Sequence, residues 1–387
     1  EIGTGDWSSD VCSSDLGEVH IMFNWYHIYA FIFLIGLILS LVNTPIFQYI
    51  AEKLDFVDRP KGEKHKLHAK PIPLLGGCSM YLSWLTVILA GYFIIKYDIF
   101  NIYATHLELY RNGFLAVSTR MLVLAGCAGG AVFVGLLDDK SAMLAWQKFA
   151  LQFVIAIIAV AFGNVRITLF IDNIFLTSCI SVFWIVLLMN AINFFDNMDG
   201  LAVGTVAIAM AFFCAVAIIN EQFFMATFTA LNFGVCVGFW FYNASPATIF
   251  MGDSGSHLLG FLTAVCSSGI TYYNSTEQSY LAVLIPFFIL AVPLFDTLVV
   301  CMIRFKNHKP FWIGDHNHIS HRFVKMGFSR RTAVNLVHIL CLITGAGVLP
   351  LMWGNESTAF ILVVQGILLL LLITVMQIIS LYNEEKN

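Results

Sequence analysis

The chain has 387 residues, 59% of them apolar and only 11% charged, with a formal net charge of −4. Average globular domains run about 45–50% apolar and about 25% charged, so a soluble enzyme of one or two domains is excluded, and a disordered chain with it. The charge balance gives no footing for nucleic acid.

Residues 1–22 stand apart from the rest. The first sixteen, EIGTGDWSSDVCSSDL, are Ser/Asp-rich and aperiodic. They lack the basic region before an apolar one that marks a signal peptide. They resemble translated sequencing-adapter read-through. Residues 1–22 are therefore read as a non-native-looking or disordered segment, and 23–387 as a single transmembrane domain.

From there the apolar runs follow in order: 26–50, 74–95, 121–137, 149–162, 174–189, 201–219, 223–242, 258–272, 281–303, 333–352 and 359–381. A span takes about 20 apolar residues, so the shorter runs must borrow polar flanks. Lipid offers no partner to a free backbone amide, which makes these runs helices. No alternation suggests barrel strands. The expected fold class is all-α, a polytopic membrane helical bundle of about eleven transmembrane helices. The nine cysteines are scattered singly, show neither a metal spacing nor a disulfide framework, and read as small apolar residues.

Lys and Arg divide unevenly between the connections. Those after the odd-numbered runs, with the C-terminal tail, hold 16 of the 20 basic residues, among them Lys53, Arg59, Lys61, Lys64, Lys66, Lys70, Lys140, Lys148, Arg304 and Arg331. The even-numbered ones hold Lys96, Arg111, Arg120 and Arg166. This bias predicts a cytoplasmic C-terminus, an outside N-terminus, and odd connections facing the cytoplasm. Lys61, Lys64 and Lys66 fit that rule or contact with anionic lipid.

The same connections carry the unusual polar clusters. They are Asp138-Asp139 followed by Lys148, and the stretch Asn190-Ala-Ile-Asn193-Phe-Phe-Asp196-Asn-Met-Asp199-Gly200-Leu201. Next come Phe250-Met-Gly-Asp253-Ser-Gly-Ser256-His257 and Asp315-His316-Asn317-His318-Ile-Ser320-His321-Arg322. Asp138, Asp139, Asp196, Asp199 and Asp253 gathered without a counter-ion would repel. Hard divalent cations take oxygen ligands, and magnesium uses one or two carboxylates plus substrate phosphates. Lys148, His318, His321 and Arg322 supply donors to phosphate oxygens. Acids for a metal and bases for phosphate are the parts of phosphoryl transfer, and glycines beside Asp253 allow close backbone approach.

Each feature has a plainer reading. Asp138-Asp139, or Asp196 and Asp199 three residues apart, also suit helix N-termini, and Asp253 between glycines suits a turn. His318 and His321 could pair on zinc, which wants three or four ligands. His65 and His68 suit a plain loop. Asp296, inside run 281–303, is either a functional intramembrane acid or an edge residue near Arg304. His257 stays open.

From about Asp58 to Arg331 these segments resemble the polyprenyl-phosphate N-acetylhexosamine-1-phosphate transferase family, closest to its undecaprenyl-phosphate N-acetylglucosamine-1-phosphate branch. Asp138-Asp139 with Lys148 and Gln152 resembles the family's paired-aspartate motif. Residues 190–201 resemble its N-x-x-N-x-x-D-x-x-D-G-L motif, with Asn197 where Gly is usual. Residues 250–256 resemble F-M-G-D-x-G-S, and His318-Ile-Ser-His321 resembles H-I-H-H with Ser320 replacing a histidine. The resemblance implies a bacterial plasma-membrane enzyme with a cytoplasmic site. It would transfer GlcNAc-1-phosphate, or a related sugar phosphate, from a UDP-N-acetylhexosamine to undecaprenyl phosphate, releasing UMP. It implies Mg2+ (or Mn2+) as cofactor and allows a homodimer.

The implied roles are Asp253 and Asp199 at the metal, and Asp196 and Asp199 in the nucleotide–metal pocket. Asp138 and Asp139 bind or deprotonate the lipid phosphate. Lys148, His318 and His321 meet the diphosphate, and Asn190, Asn193, Phe250 and Arg322 bind substrate. Competing readings are a phospho-MurNAc-pentapeptide transferase, a secondary transporter with its ionisable residues at mid-membrane, and an intramembrane aspartyl protease, which needs only two carboxylates sharing a proton.

Overall fold

A computed structural model describes residues 25–59, 71–97, 99, 108–167, 171–273, 280–310 and 317–386. Residues 1–22, the segment with Lys61, Lys64, His65, Lys66, His68 and Lys70, and the pair Asp315 and His316 lie outside the described residues.

Thirteen α-helices make up nearly all of it. They are α1 (Trp25–Lys53), α2 (Gly76–Lys96), α3 (Glu108–Lys140), α4 (Ala145–Gly163), α5 (Ile174–Phe195), α6 (Leu201–Ile219) and α7 (Phe223–Asn243). After these come α8 (Gly252–Gly269), α9 (Ile285–Ile289), α10 (Ala291–Lys306), α11 (Ile319–Lys325), α12 (Arg330–Val348) and α13 (Glu356–Lys386). Two two-residue strands, β1 (Val57–Asp58) and β2 (Ile72–Pro73), pair antiparallel between α1 and α2. The protein is a polytopic helical membrane protein.

Each predicted apolar run falls mostly in helix, although 74–75 and 270–272 lie outside one, and the runs are not equivalent. Nine helices among the described residues are long and apolar enough to cross a membrane. Run 281–303 is broken: a short 3-10 turn and α9 meet α10 at a 70° bend. Pro293 follows that bend, and a proline ring clashes with the carbonyl four residues back, which favours a kink or break there. Run 258–272 belongs to α8, which starts earlier, at Gly252, with Asp253, Ser254, Gly255, Ser256 and His257 in its first turns.

Lipid-facing and core helices differ by which sides they bury. α1 exposes Phe31, Leu34, Ile38 and Val42, and α13 exposes Ile367, Leu368, Leu371 and Leu372. α6 and α8 are covered on nearly all sides and form the centre. α8 runs through the middle, packed on α3 and α5. Gly135 on α3 makes that approach possible: a Cβ there would lie 2.2 Å from the backbone nitrogen of Ser254. The C-terminal ends of α3, α5 and α7 and the N-terminal ends of α4, α6 and α8 consequently meet at one end of the bundle.

Candidate active site

The centre of that end is the start of α8. Gly252 has φ +66°, in the left-handed region where glycine is favoured. This turn aims the first backbone amides of α8 outward, where no intrahelical acceptor exists. Asp139, in the last turn of α3, takes them. Its Oδ1 accepts from the Asp253 backbone nitrogen at 2.8 Å and its Oδ2 from that of Ser254 at 3.2 Å. Asp139 caps a helix distant in sequence, and its charge complements the positive end of that helix.

Asp253 is thereby fixed, and the Lys148 and Asn193 side chains gather on its carboxylate. Lys148, from the first turn of α4, pairs with Asp253 Oδ2 and with Asp138 Oδ2 at 2.9 Å. Asp138 Oδ1 also accepts from the Met143 backbone nitrogen at 2.6 Å, which shapes the α3–α4 connection. Asn193 on α5 donates to Asp253 Oδ1 and to Ser256 Oγ, both at 2.9 Å. Asp253 keeps 30% of its side chain exposed while Lys148 and Asp138 keep about half as much, so the acid is the open face of the cluster.

One lysine does not neutralise the acids. Asp196, just after α5, is half-buried, and burial together with the charges of Asp253, Asp139 and Asp199 pushes its carboxyl up to about 8. Asp199 accepts from the Ala247 backbone nitrogen at 3.1 Å. Among the described residues no three His, Cys, Asp or Glu side chains form a ready ligand set. A cation here would take one or two carboxylates, with Asp253, Asp196 and Asp199 as the available acids, and complete its shell with phosphate oxygens. That is magnesium's usual habit, and the raised carboxyl of Asp196 marks the excess negative charge a cation would relieve.

Beneath this layer lies a buried relay. Asn190 Nδ2 donates to the Val186 carbonyl at 2.8 Å, which fixes its amide orientation, and to Gln152 Oε1 at 2.7 Å. Gln152 Nε2 then donates to His257 Nε2 at 3.1 Å. The His257 proton therefore sits on Nδ1. Asn190 thus supports the site from below, one helical turn before Asn193.

The histidine arm meets the site from α10 and α11. Asp296, 3% exposed, accepts from His318 Nδ1 at 2.6 Å and from the Ile319 backbone nitrogen at 2.7 Å. Ser320 Oγ donates to Asn197 Oδ1 at 2.5 Å. Arg322 is buried and donates from Nε to the Asn317 carbonyl at 2.9 Å. The His318 and His321 rings lie 6.4 Å apart, and the buried Arg304 stacks on Phe194 with 5.1 Å to the ring centre. Phe250 holds the approach: its nitrogen donates to the Pro73 carbonyl at 2.8 Å and its carbonyl accepts from Gly76 at 3.1 Å.

The glycosyl transferase family 4 profile matches residues 121–271. A Bacillus subtilis (strain 168) protein named probable undecaprenyl-phosphate N-acetylglucosaminyl 1-phosphate transferase is 31% identical over 345 residues, 86% of this chain and 88% of that one. The chain belongs to glycosyl transferase family 4. A family member from Escherichia coli O157:H7, named undecaprenyl-phosphate alpha-N-acetylglucosaminyl 1-phosphate transferase, is 26% identical over 78% of each chain. A phospho-N-acetylmuramoyl-pentapeptide-transferase of Bacillus cytotoxicus is 32% identical but aligns with only 58% of this chain.

Within this family 4 chain, the structure brings Asp138, Asp139, Lys148, Asn193 and Asp253 into one hydrogen-bonded group, with Asp196 and Asp199 beside it and Asn190 below. His318, His321 and Arg322 stand on a separate arm that touches the acidic loop through Asn197. Three residues gain partners that sequence reasoning left open or unpaired. Asp296 is the buried carboxylate behind His318, His257 ends the Asn190 relay, and Asn197 bonds Ser320. Asp296 had a signal, as an acid inside an apolar run; the other two had none beyond their place in or beside a motif.

Proposed function

We propose that this protein transfers GlcNAc-1-phosphate from UDP-GlcNAc to undecaprenyl phosphate, in the plasma membrane of a bacterium, with residues 23–387 as the transferase domain. The observation carrying this reading is the Asp138–Lys148–Asp253–Asn193 cluster, drawn from four helix ends at one end of the bundle. The relatives' names agree with it, and the better-covered ones favour the N-acetylglucosamine branch. The uneven division of Lys and Arg supports a cytoplasmic site, where a soluble nucleotide and a membrane lipid can meet.

In the reaction, a phosphate oxygen of the lipid attacks the β-phosphorus of UDP-GlcNAc. A new P–O–P bond forms, the bond to UMP breaks, and UMP leaves with the electron pair. Lys148 lies between Asp138 and Asp253, where it holds phosphate oxygens and limits repulsion between the acids. Asp139 keeps Asp253 aimed by capping α8. Asp138, tied to Lys148, faces the lipid phosphate, and Asn193 and Asn190 orient the nucleotide side. His318, with Nδ1 on Asp296, turns Nε2 toward the diphosphate, and His321 and Arg322 add donors there. Asp253 with Asp196 or Asp199 would hold Mg2+, which would supply charge neutralisation for the transferring group.

The test is UMP release by the purified protein in lipid, given undecaprenyl phosphate, magnesium and one donor at a time. UDP-GlcNAc should turn over faster than UDP-GalNAc and UDP-MurNAc-pentapeptide, and EDTA should stop the reaction. Turnover with the pentapeptide donor alone would move the protein to the other branch.

A further inference from the structure

α11 has seven residues, far below the roughly 12–15 at which a helix holds itself in water. Its position, and with it the position of His318, His321 and Arg322, must come from contacts with other elements. Two anchors are present at its start. One is Asp296 on α10, which takes His318 and the Ile319 nitrogen. The other is Asn197, which accepts from the fully buried Ser320 at 2.5 Å.

The second anchor has a special place in the chain. Asn197 follows Asp196 directly and precedes Asp199 by two residues, while Ser320 precedes His321 directly. The path from Asp196 to His321 therefore crosses two peptide bonds and this one hydrogen bond. A glycine at 197 would offer no side-chain acceptor, and an imidazole at 320 would not fit the volume of a fully buried hydroxymethyl group. Ser320 and Asn197 are thus matched as donor and acceptor.

We propose that Asn197 and Ser320 are paired positioning residues, whose hydrogen bond keeps the diphosphate-facing arm in register with the acids that face it. Neither touches substrate; each acts through its neighbour, Asp196 on one side and His318 and His321 on the other. The consequence for turnover rests on the transferase reading above; the register itself does not.

The test is a double-mutant cycle with Asn197→Ala, Ser320→Ala and the double variant, read as kcat and KM for UMP release from UDP-GlcNAc. Each single variant should lower kcat about tenfold, the size of one lost buried hydrogen bond expressed in a barrier, with KM little changed. The double variant should be no slower than either single. Losses that multiply, or turnover equal to the parent, would overturn the pairing. Amide hydrogen exchange gives a readout independent of activity. Residues 318–325 should exchange faster in Asn197→Ala and in Ser320→Ala, with α12 unchanged. Unchanged exchange in 318–325 would overturn the proposal even in active protein. If the parent itself releases no UMP, the transferase reading fails and exchange alone decides the register.

Discussion

Asp138 and Asp139 are neighbours with different duties. Asp139 gives both oxygens to the backbone of α8, whereas Asp138 holds Lys148 and the Met143 nitrogen. Asp139→Ala should therefore cost about 1 kcal/mol of stability as a lost helix cap as well as turnover. Asp138→Ala should lose turnover with a smaller drop in Tm. Melting curves beside UMP release separate the two, and equal drops in Tm would contradict this division. Asp196 makes a pH prediction. Its carboxyl, raised to about 8 in the folded protein, binds its proton more tightly folded than unfolded, where the pKa is about 4. As pH rises from about 4 to about 8 the unfolded chain releases the proton first, so folding loses stability across that window and levels off above it. Without divalent cation, Asp196→Asn should melt above the parent, by a margin that grows from about pH 5 to about pH 8. A constant margin would contradict the assignment. The acids themselves were legible in the sequence, because their spacing matches motifs. Their partners were not, since Asp139 bonds residues more than a hundred positions away.

At the scale of helices, the close packing of α3 on α8 sets where Asp253 sits. A Cβ on Gly135 would collide with the α8 backbone, while Gly126, on the same helix, has open space around it. Gly135→Ala should destabilise by about 1–3 kcal/mol, as overpacked cores do, and should also lower turnover by moving Asp253. Gly126→Ala should be close to neutral. Thermal melts of both variants check this, and similar melting points would contradict it. Sequence periodicity located these helices but blurred their ends. Asp138, Asp139, Asn190 and Asn193 read as connection residues, yet they lie in the last turns of α3 and α5. The reason is physical: apolarity stops at the membrane edge, whereas backbone hydrogen bonding continues past it. The bend between α9 and α10 was hidden as well, because the apolar run continues through it.

Across the whole molecule, charge asymmetry between connections pointed to one functional end, and the helix ends bearing the acids do meet there. Hydropathy separates the lipid-facing α13, apolar enough to cross a membrane, from α8, which opens on the polar and small residues 252–257 and is not one of the nine such helices among the described residues; that α8 is the central helix came only from packing. The proposed orientation is open to labelling. Leu144, 60% exposed at the start of α4 beside Lys148, replaced by cysteine in a cysteine-free background, should react with an impermeant maleimide in inside-out vesicles and not in intact cells. Labelling in intact cells would reverse the orientation.

The central claim is that Asp253, aimed by Asp139 and paired with Lys148, is where the diphosphate is handled. The most direct measurement is UMP release by Asp253→Ala in membranes supplied with magnesium, UDP-GlcNAc and undecaprenyl phosphate. Its Tm should be checked against the parent. The account predicts a loss of at least about 100- to 1,000-fold, the scale of removing one preorganised electrostatic group from a reacting centre. Undiminished release from a folded Asp253→Ala protein would contradict it.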